Sequence, residues 1–160
     1  MTTMSEKATF VDKMREDLVL LDIKGETNEE VLREVAKVLY SKGIVKETYA
    51  DALVQREMEY PTGLPIGELN CAIPHTYPEH INEIAIALVV LDKPVKFQQM
   101  GDPDVQIDVS ILICLAMKKM DDNVKLLPAL MGFFADEENL KTLTTLKDPK
   151  AILDYIKENC

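Results

Sequence analysis

The sequence predicts an α/β protein in which a mixed central β-sheet carries packed helices on both faces. Two apolar runs rich in Ile and Val, residues 84–91 and 105–117, suit central strands that are covered on both sides. Segments with helical apolar spacing alternate with the strands and are numerous enough to clothe both faces. No internal repeat, low-complexity tract or linker rich in Gly, Ser or Pro divides the 160 residues, so a single domain over 1–160 is expected.

In chain order, residues 1–5 are polar and are expected to be loose. Residues 17–23 are a short apolar run stopping at Lys24-Gly25, read as the first strand. Thr27 then opens a helix, with Glu30 placed to complete a capping box in which each side chain satisfies an orphan backbone N–H. Val31, Leu32, Val35, Ala36, Val38 and Leu39 share one face of that helix, and Gly43 stops it. A second helix is predicted over 46–59, with Ala50, Leu53, Val54 and Met58 spaced for burial. Pro61 ends it, which puts Arg56 and Glu57 in its last turn.

Residues 69–73 read as a strand that Pro74 terminates, because Pro has no ladder N–H and biases Ile73 towards extended geometry. His75 therefore begins a loop at the carboxyl end of a strand. Residues 93–99, between the two central runs, are expected to form a turn and a short edge strand. The last third reads as helical, over 121–135 and 136–146 and then a final helix with Asp148 as N-cap and Pro149 at its first position. Pro128 predicts a kink or a late start in the first of these.

Charge and composition exclude several functions. A formal net charge of −10 argues against non-specific nucleic-acid binding, which needs clustered Lys and Arg to displace counterions from phosphates, and against docking on an anionic membrane. The apolar runs fall well short of the ~20 residues that span a bilayer, and residues 1–10 contain no apolar signal core. No direct membrane insertion is therefore expected. The three cysteines, Cys71, Cys114 and Cys160, form no CxxC pair and leave an odd thiol, so neither a disulfide framework nor a zinc site is expected. Cys71 and Cys114 read as small core hydrophobes, and the reducing cytoplasm as the compartment.

Only two histidines are present, His75 and His80. A His just past a strand end sits where α/β folds meet their ligands, although a surface loop would hold one equally well. Between Glu47 and Asp92, Arg56 is the single Lys or Arg among eight acidic residues. It either pairs with Asp51, Glu59 or another nearby acid, or it offers the planar fork of donors that a phosphoryl group needs. There is no GxxxxGK[ST] loop, GxGxxG turn, GxSxG elbow or HExxH pair. Pro78 keeps His75 and His80 off one helix face, so no metal site is expected. The acid pairs Asp121-Asp122 and Glu137-Glu138 fall at predicted helix starts and read as structural.

Arg56-Glu57, the run Pro61-Thr62-Gly63-Leu64-Pro65-Ile66, and Ala72-Ile73-Pro74-His75 together resemble the enzyme IIA domains of the fructose and mannitol class of the sugar phosphotransferase system. The resemblance runs from the first helix to the last. It implies the mannitol/fructose-type fold and a phosphotransferase component in which His75 accepts a phosphoryl group from the phosphocarrier protein HPr. That group then passes to enzyme IIB, with the membrane component IIC as an indirect partner. The resemblance further implies attack by the ε2 nitrogen, Arg56 as phosphate-binding cation, Glu57 and Thr62 as supporting residues, and no metal or organic cofactor.

Two positions depart from the family pattern. Thr76 follows the active His where Gly is frequent, and Asn123 stands where many members carry a second His at the start of a later helix. An amide can donate to phosphate but cannot become cationic, so charge neutralisation falls to Arg56. The missing second His, together with Val95-Lys96-Phe97-Gln98-Gln99, is most similar to the galactitol subgroup. Leu64, Ile66, Tyr77 and Ile81 either form an apolar partner-contact surface or cap the core. The rival readings are a regulatory module of the same fold that is phosphorylated on His75 to signal to another protein, and an interaction protein in which His75 is inert.

Overall fold

A computed structural model describes residues 11 and 13–160, with the side chains of 120–125 outside the described set. The expectation for residues 1–5 also lies outside it. The elements are β1 (Met14–Leu20), α1 (Asn28–Ser41), α2 (Tyr49–Glu59), β2 (Gly63–Leu64), β3 (Asn70–Ala72), β4 (Ala85–Gln99), β5 (Asp102–Ala116), α3 (Met120–Phe134), α4 (Glu137–Thr145) and α5 (Pro149–Asn159). A 3-10 turn, Pro78–His80, lies between β3 and β4.

The sheet is mixed. β4 and β5 form a long antiparallel hairpin, β1 pairs parallel with β4, and β3 pairs parallel with β5. β2 pairs antiparallel with β3, and Gly63 also meets Gln99 at the far end of β4. A Cβ at Gly63 would stand 2.6 Å from the Gln98 carbonyl oxygen, so this crossing of backbones requires glycine. Residues from β4 and β5 alternate between two cores: Ala87, Val89, Leu112 and Cys114 pack with α1 and α2 on one face. Ile86, Leu88, Ile113 and Leu115 pack with α3, α4 and α5 on the other. Both faces are thus covered, and the predicted α/β class with a mixed sheet holds.

Local sequence accounts for the helix ends. Thr27 Oγ1 accepts from the Glu30 N–H at 3.2 Å, as a cap should, but the Glu30 carboxylate reaches back to the Glu26 N–H at 2.7 Å instead of that of Thr27. Gly43 takes φ +75°, the left-handed conformation that closes α1. Asp136 and Asp148 cap α4 and α5 by accepting from the N–H groups of Glu138 and Ala151, each at 2.9 Å. Helix α3 begins at Met120 and continues past Pro128 to Phe134, so the late start does not occur.

Several boundaries differ from expectation, β5 starting at Asp102 and β3 being trimmed to Asn70–Ala72 among them. β1 begins and ends three residues earlier than 17–23, because Ile23 leaves the sheet to pack among the residues of α1. Helix α2 starts at Tyr49 instead of Lys46, whose carbonyl accepts the Tyr49 N–H in a preceding turn. The largest difference is at 93–99, which is no separate edge strand but the second half of β4. Val95 and Phe97 alternate inward, 4% and 1% exposed, opposite Val109 and Ile107. Pro94 sits where the register shifts between Val90 and Val95, a place where no ladder N–H is needed.

Candidate functional site

The site is assembled where α2 ends, β2 begins and β3 runs out. Pro74 does stop the ladder of β3, but the chain stays on the sheet for one more step. The Pro74 carbonyl accepts the Leu115 N–H at 3.0 Å, and His75 makes a parallel bridge with Leu115. His75 is therefore half-buried and held against β5, a stiffer mount than the free loop expected from sequence.

Its ring is oriented by its own backbone. Nδ1 lies 2.8 Å from the Ile73 carbonyl oxygen. A carbonyl can only accept, so Nδ1 carries the hydrogen and Nε2 keeps its lone pair. Burial lowers the His75 pKa and the positive charge of Arg56 lowers it further, against the opposing pull of the Ile73 bond. The site therefore favours the neutral ring, with Nε2 as its unprotonated nitrogen.

Arg56 makes no ion pair among the described residues. Asp51, one of its expected partners, is held by Arg33 at 2.7 Å, and Glu59 accepts from Gln55 Nε2 at 3.2 Å. Arg56 instead donates from Nη1 to the Tyr77 hydroxyl at 2.7 Å. Its Cζ stands 4.4 Å from the Tyr60 ring centroid and 5.0 Å from that of Tyr77. Nε is buried and has no hydrogen-bond partner. The structure thus decides against the surface ion pair with Asp51 or Glu59, and among the described residues no carboxylate pairs with Arg56.

Glu57 and Thr62 point at each other. Glu57, 3% exposed, accepts from the Thr62 N–H and from Thr62 Oγ1, each at 2.7 Å. Burial pushes its carboxyl up to about 7, against the two Thr62 bonds. The Thr62 carbonyl accepts the Ile73 N–H at 3.4 Å, and the Ile73 carbonyl holds the His75 ring. A chain of hydrogen bonds therefore runs from the end of α2 to the imidazole. Asn123 lies in the first turn of α3, and its side chain is outside the described residues.

His80 lines the same cavity as Arg56 and Tyr77, and its Nδ1 is 2.8 Å from Thr48 Oγ1, which pins the 3-10 turn to the start of α2. Among the described residues no group of His, Cys, Asp and Glu could hold a metal ion. Thr76 is buried, with its hydroxyl 3.4 Å from the Ala52 carbonyl, and is not at positive φ, so the backbone here does not require the family's Gly. Ile81 caps the core, and Leu64 and Ile66 are half-buried against the second core. The exposed apolar groups near the site are Met58, Tyr60 and Tyr77. Sequence reasoning passed over Tyr60, although its spacing of four from Arg56 at a helix end was a usable signal.

The candidate site is thus a half-buried imidazole protonated at Nδ1 and within electrostatic reach of Arg56, which has no ion pair among the described residues. The sequence profile described as "Phosphoenolpyruvate-dependent sugar phosphotransferase system, EIIA 2" matches residues 13–159. The chain belongs to this family and is a phosphotransferase component. The galactitol-specific EIIA component of the phosphotransferase system of Escherichia coli (strain K12) is 35% identical over 119 residues, covering 74% of this chain and 79% of that one. Transcriptional regulator ManR of Bacillus subtilis (strain 168) is 31% identical over 107 residues, covering 67% of this chain but 15% of that one. In fold, the chain matches mannitol enzyme IIA from Escherichia coli, solved in complex with phosphorylated enzyme IIB. The TM-score is 0.75 at 19% identity, covering 91% of this chain and 99% of that one. Among the described residues no helix is long and apolar enough to cross a membrane.

Proposed function

We propose that this chain is a single-domain cytoplasmic phosphoryl carrier in which His75 accepts a phosphoryl group from phospho-HPr and delivers it to enzyme IIB of a galactitol-type transporter. The observation that carries the reading is the Nδ1–H to Ile73 carbonyl bond, which leaves Nε2 as the available nucleophile. In the reaction, Nε2 forms its bond to phosphorus as the donor's bond breaks, the donor keeping that electron pair. The Nδ1 proton stays on the ring, donated to the Ile73 carbonyl, which stabilises the positive charge the ring acquires. Arg56 offers its fork to the phosphoryl oxygens, and Asn123 is a second donor from the start of α3. Glu57 and Thr62 support the site by fixing the backbone that holds His75. No metal or organic cofactor takes part, and the membrane component IIC is reached through IIB.

The test mixes the protein with phosphoenolpyruvate, enzyme I and HPr and follows an acid-labile phosphoryl adduct by intact mass. Wild type gains one adduct and His75→Ala gains none. Equal labelling of the two proteins would place the acceptor elsewhere. ManR supplies a reason to weigh a regulatory role, since a related segment forms part of a transcriptional regulator. Onward transfer to a galactitol-type IIB supports the carrier. A phosphorylated protein that transfers to no IIB in a panel supports the regulator.

A further inference from the structure

We propose that Tyr77, together with Tyr60, is a positioning residue that holds Arg56 in place for the phosphoryl group on His75. The proposal rests on the reading of His75 as acceptor and Arg56 as its cation.

An arginine at the end of a helix is a long, flexible side chain, and Arg56 is set among Asp51, Glu57 and Glu59. Left to itself it would seek a carboxylate, which would cancel the charge that the phosphoryl group needs. Tyr77 prevents this with a neutral acceptor. Its hydroxyl takes Nη1 at 2.7 Å while its ring lies 5.0 Å from Cζ, and the Tyr60 ring closes to 4.4 Å. Aromatic faces attract the guanidinium without neutralising it. The nearby acids are engaged elsewhere, Asp51 by Arg33, Glu59 by Gln55, and Glu57 by Thr62.

The position of Tyr77 in the chain strengthens the case. It lies two residues after His75, so nucleophile and clamp share one short segment, and Thr76 between them is buried with its hydroxyl directed at the Ala52 carbonyl of α2. Any shift of that segment moves His75 and Arg56 together. The buried, unpartnered Nε is a donor held unused at the site. The lowered pKa of His75, to which the Arg56 charge contributes, is consistent with a cation held within electrostatic reach.

The experiment compares wild type, Tyr77→Phe, Arg56→Ala and the double variant. It measures the rate of phosphoryl gain at saturating phospho-HPr and the titration of the His75 ring by NMR. Tyr77→Phe keeps the ring and removes only the hydroxyl, and is expected to slow transfer about tenfold, the scale of one charge-assisted hydrogen bond, with KM for HPr unchanged. His75 titrates nearer its ordinary value in Tyr77→Phe and in Arg56→Ala. In the Arg56→Ala background, Tyr77→Phe adds nothing further. Normal transfer and an unmoved His75 titration in Tyr77→Phe, with Arg56→Ala slow, overturn the clamp alone. Equal slowing by Tyr77→Phe with and without Arg56 also overturns it. An Arg56→Ala protein that transfers at the wild-type rate overturns the underlying reading of Arg56 as well.

Discussion

Glu57 is a carboxyl buried where its charge is costly, with Thr62 as its only direct polar contact among the described residues. Its pKa of about 7, against the usual 4.5, couples stability to pH. Below 4.5 the carboxyl is protonated in folded and unfolded chains alike. Between 4.5 and about 7 the unfolded chain has released the proton and the folded one retains it, so stability falls as pH rises, by roughly 3 kcal/mol once the folded carboxyl ionises. His75 acts with the opposite sign, since its lowered pKa makes stability rise with pH up to the ordinary histidine value. Glu57→Gln keeps an acceptor for the Thr62 N–H and removes the titration. The difference in urea midpoint between pH 5 and pH 8 should therefore shrink in this variant relative to wild type. An unchanged difference would assign the pH dependence to other groups.

At the scale of elements, the β4–β5 hairpin decides where the site can form. Gly63 reaches the site end of β2 only because β4 continues to Gln99, and Leu115 of β5 anchors Pro74 and His75. The inward residues of the second half of β4, Val95 and Phe97, fix that extension to the core of α1 and α2. Phe97→Ala should destabilise the protein by about 3–5 kcal/mol, the usual cost of emptying a fully buried aromatic site, measured by urea unfolding. A loss under 1 kcal/mol would show that this half of β4 is not integral to the fold. Pro94 and its charged neighbours read locally as a break, which is why 93–99 reads as a turn and a short edge strand. Pairing with 107–109 across the hairpin overrides that local signal.

At the scale of the molecule, one sheet serves two cores, each side chain row of β4 and β5 facing a different helical layer. Neither layer can lose its sheet face without exposing the other, so unfolding should be a single cooperative step. Tyr49 is fully buried in one core and Tyr155 packs against the other, so near-UV tyrosine signals sample both. Their thermal transition should coincide with the far-UV transition of the backbone. Separate midpoints would mean that the two layers melt independently.

The sequence by itself determined the α/β class, the capping residues Thr27 and Asp148, the helix stop at Gly43, the burial of Cys71 and Cys114, and the place of His75 beyond Pro74. These are outcomes of patterns that act within a few residues: period, cap and ring constraint. Only the tertiary structure decided which partner Arg56 keeps. Every local rule offered it a carboxylate within helical reach, yet its hydrogen bond goes to Tyr77, 21 residues along the chain. The Glu57–Thr62 and His75–Ile73 bonds are short in sequence, but only the structure shows that these buried or half-buried groups choose each other. Burial sets the Glu57 and His75 choices, because a buried polar group must take the partner within reach, whereas the Arg56 choice follows from the fold bringing Tyr77 beside α2.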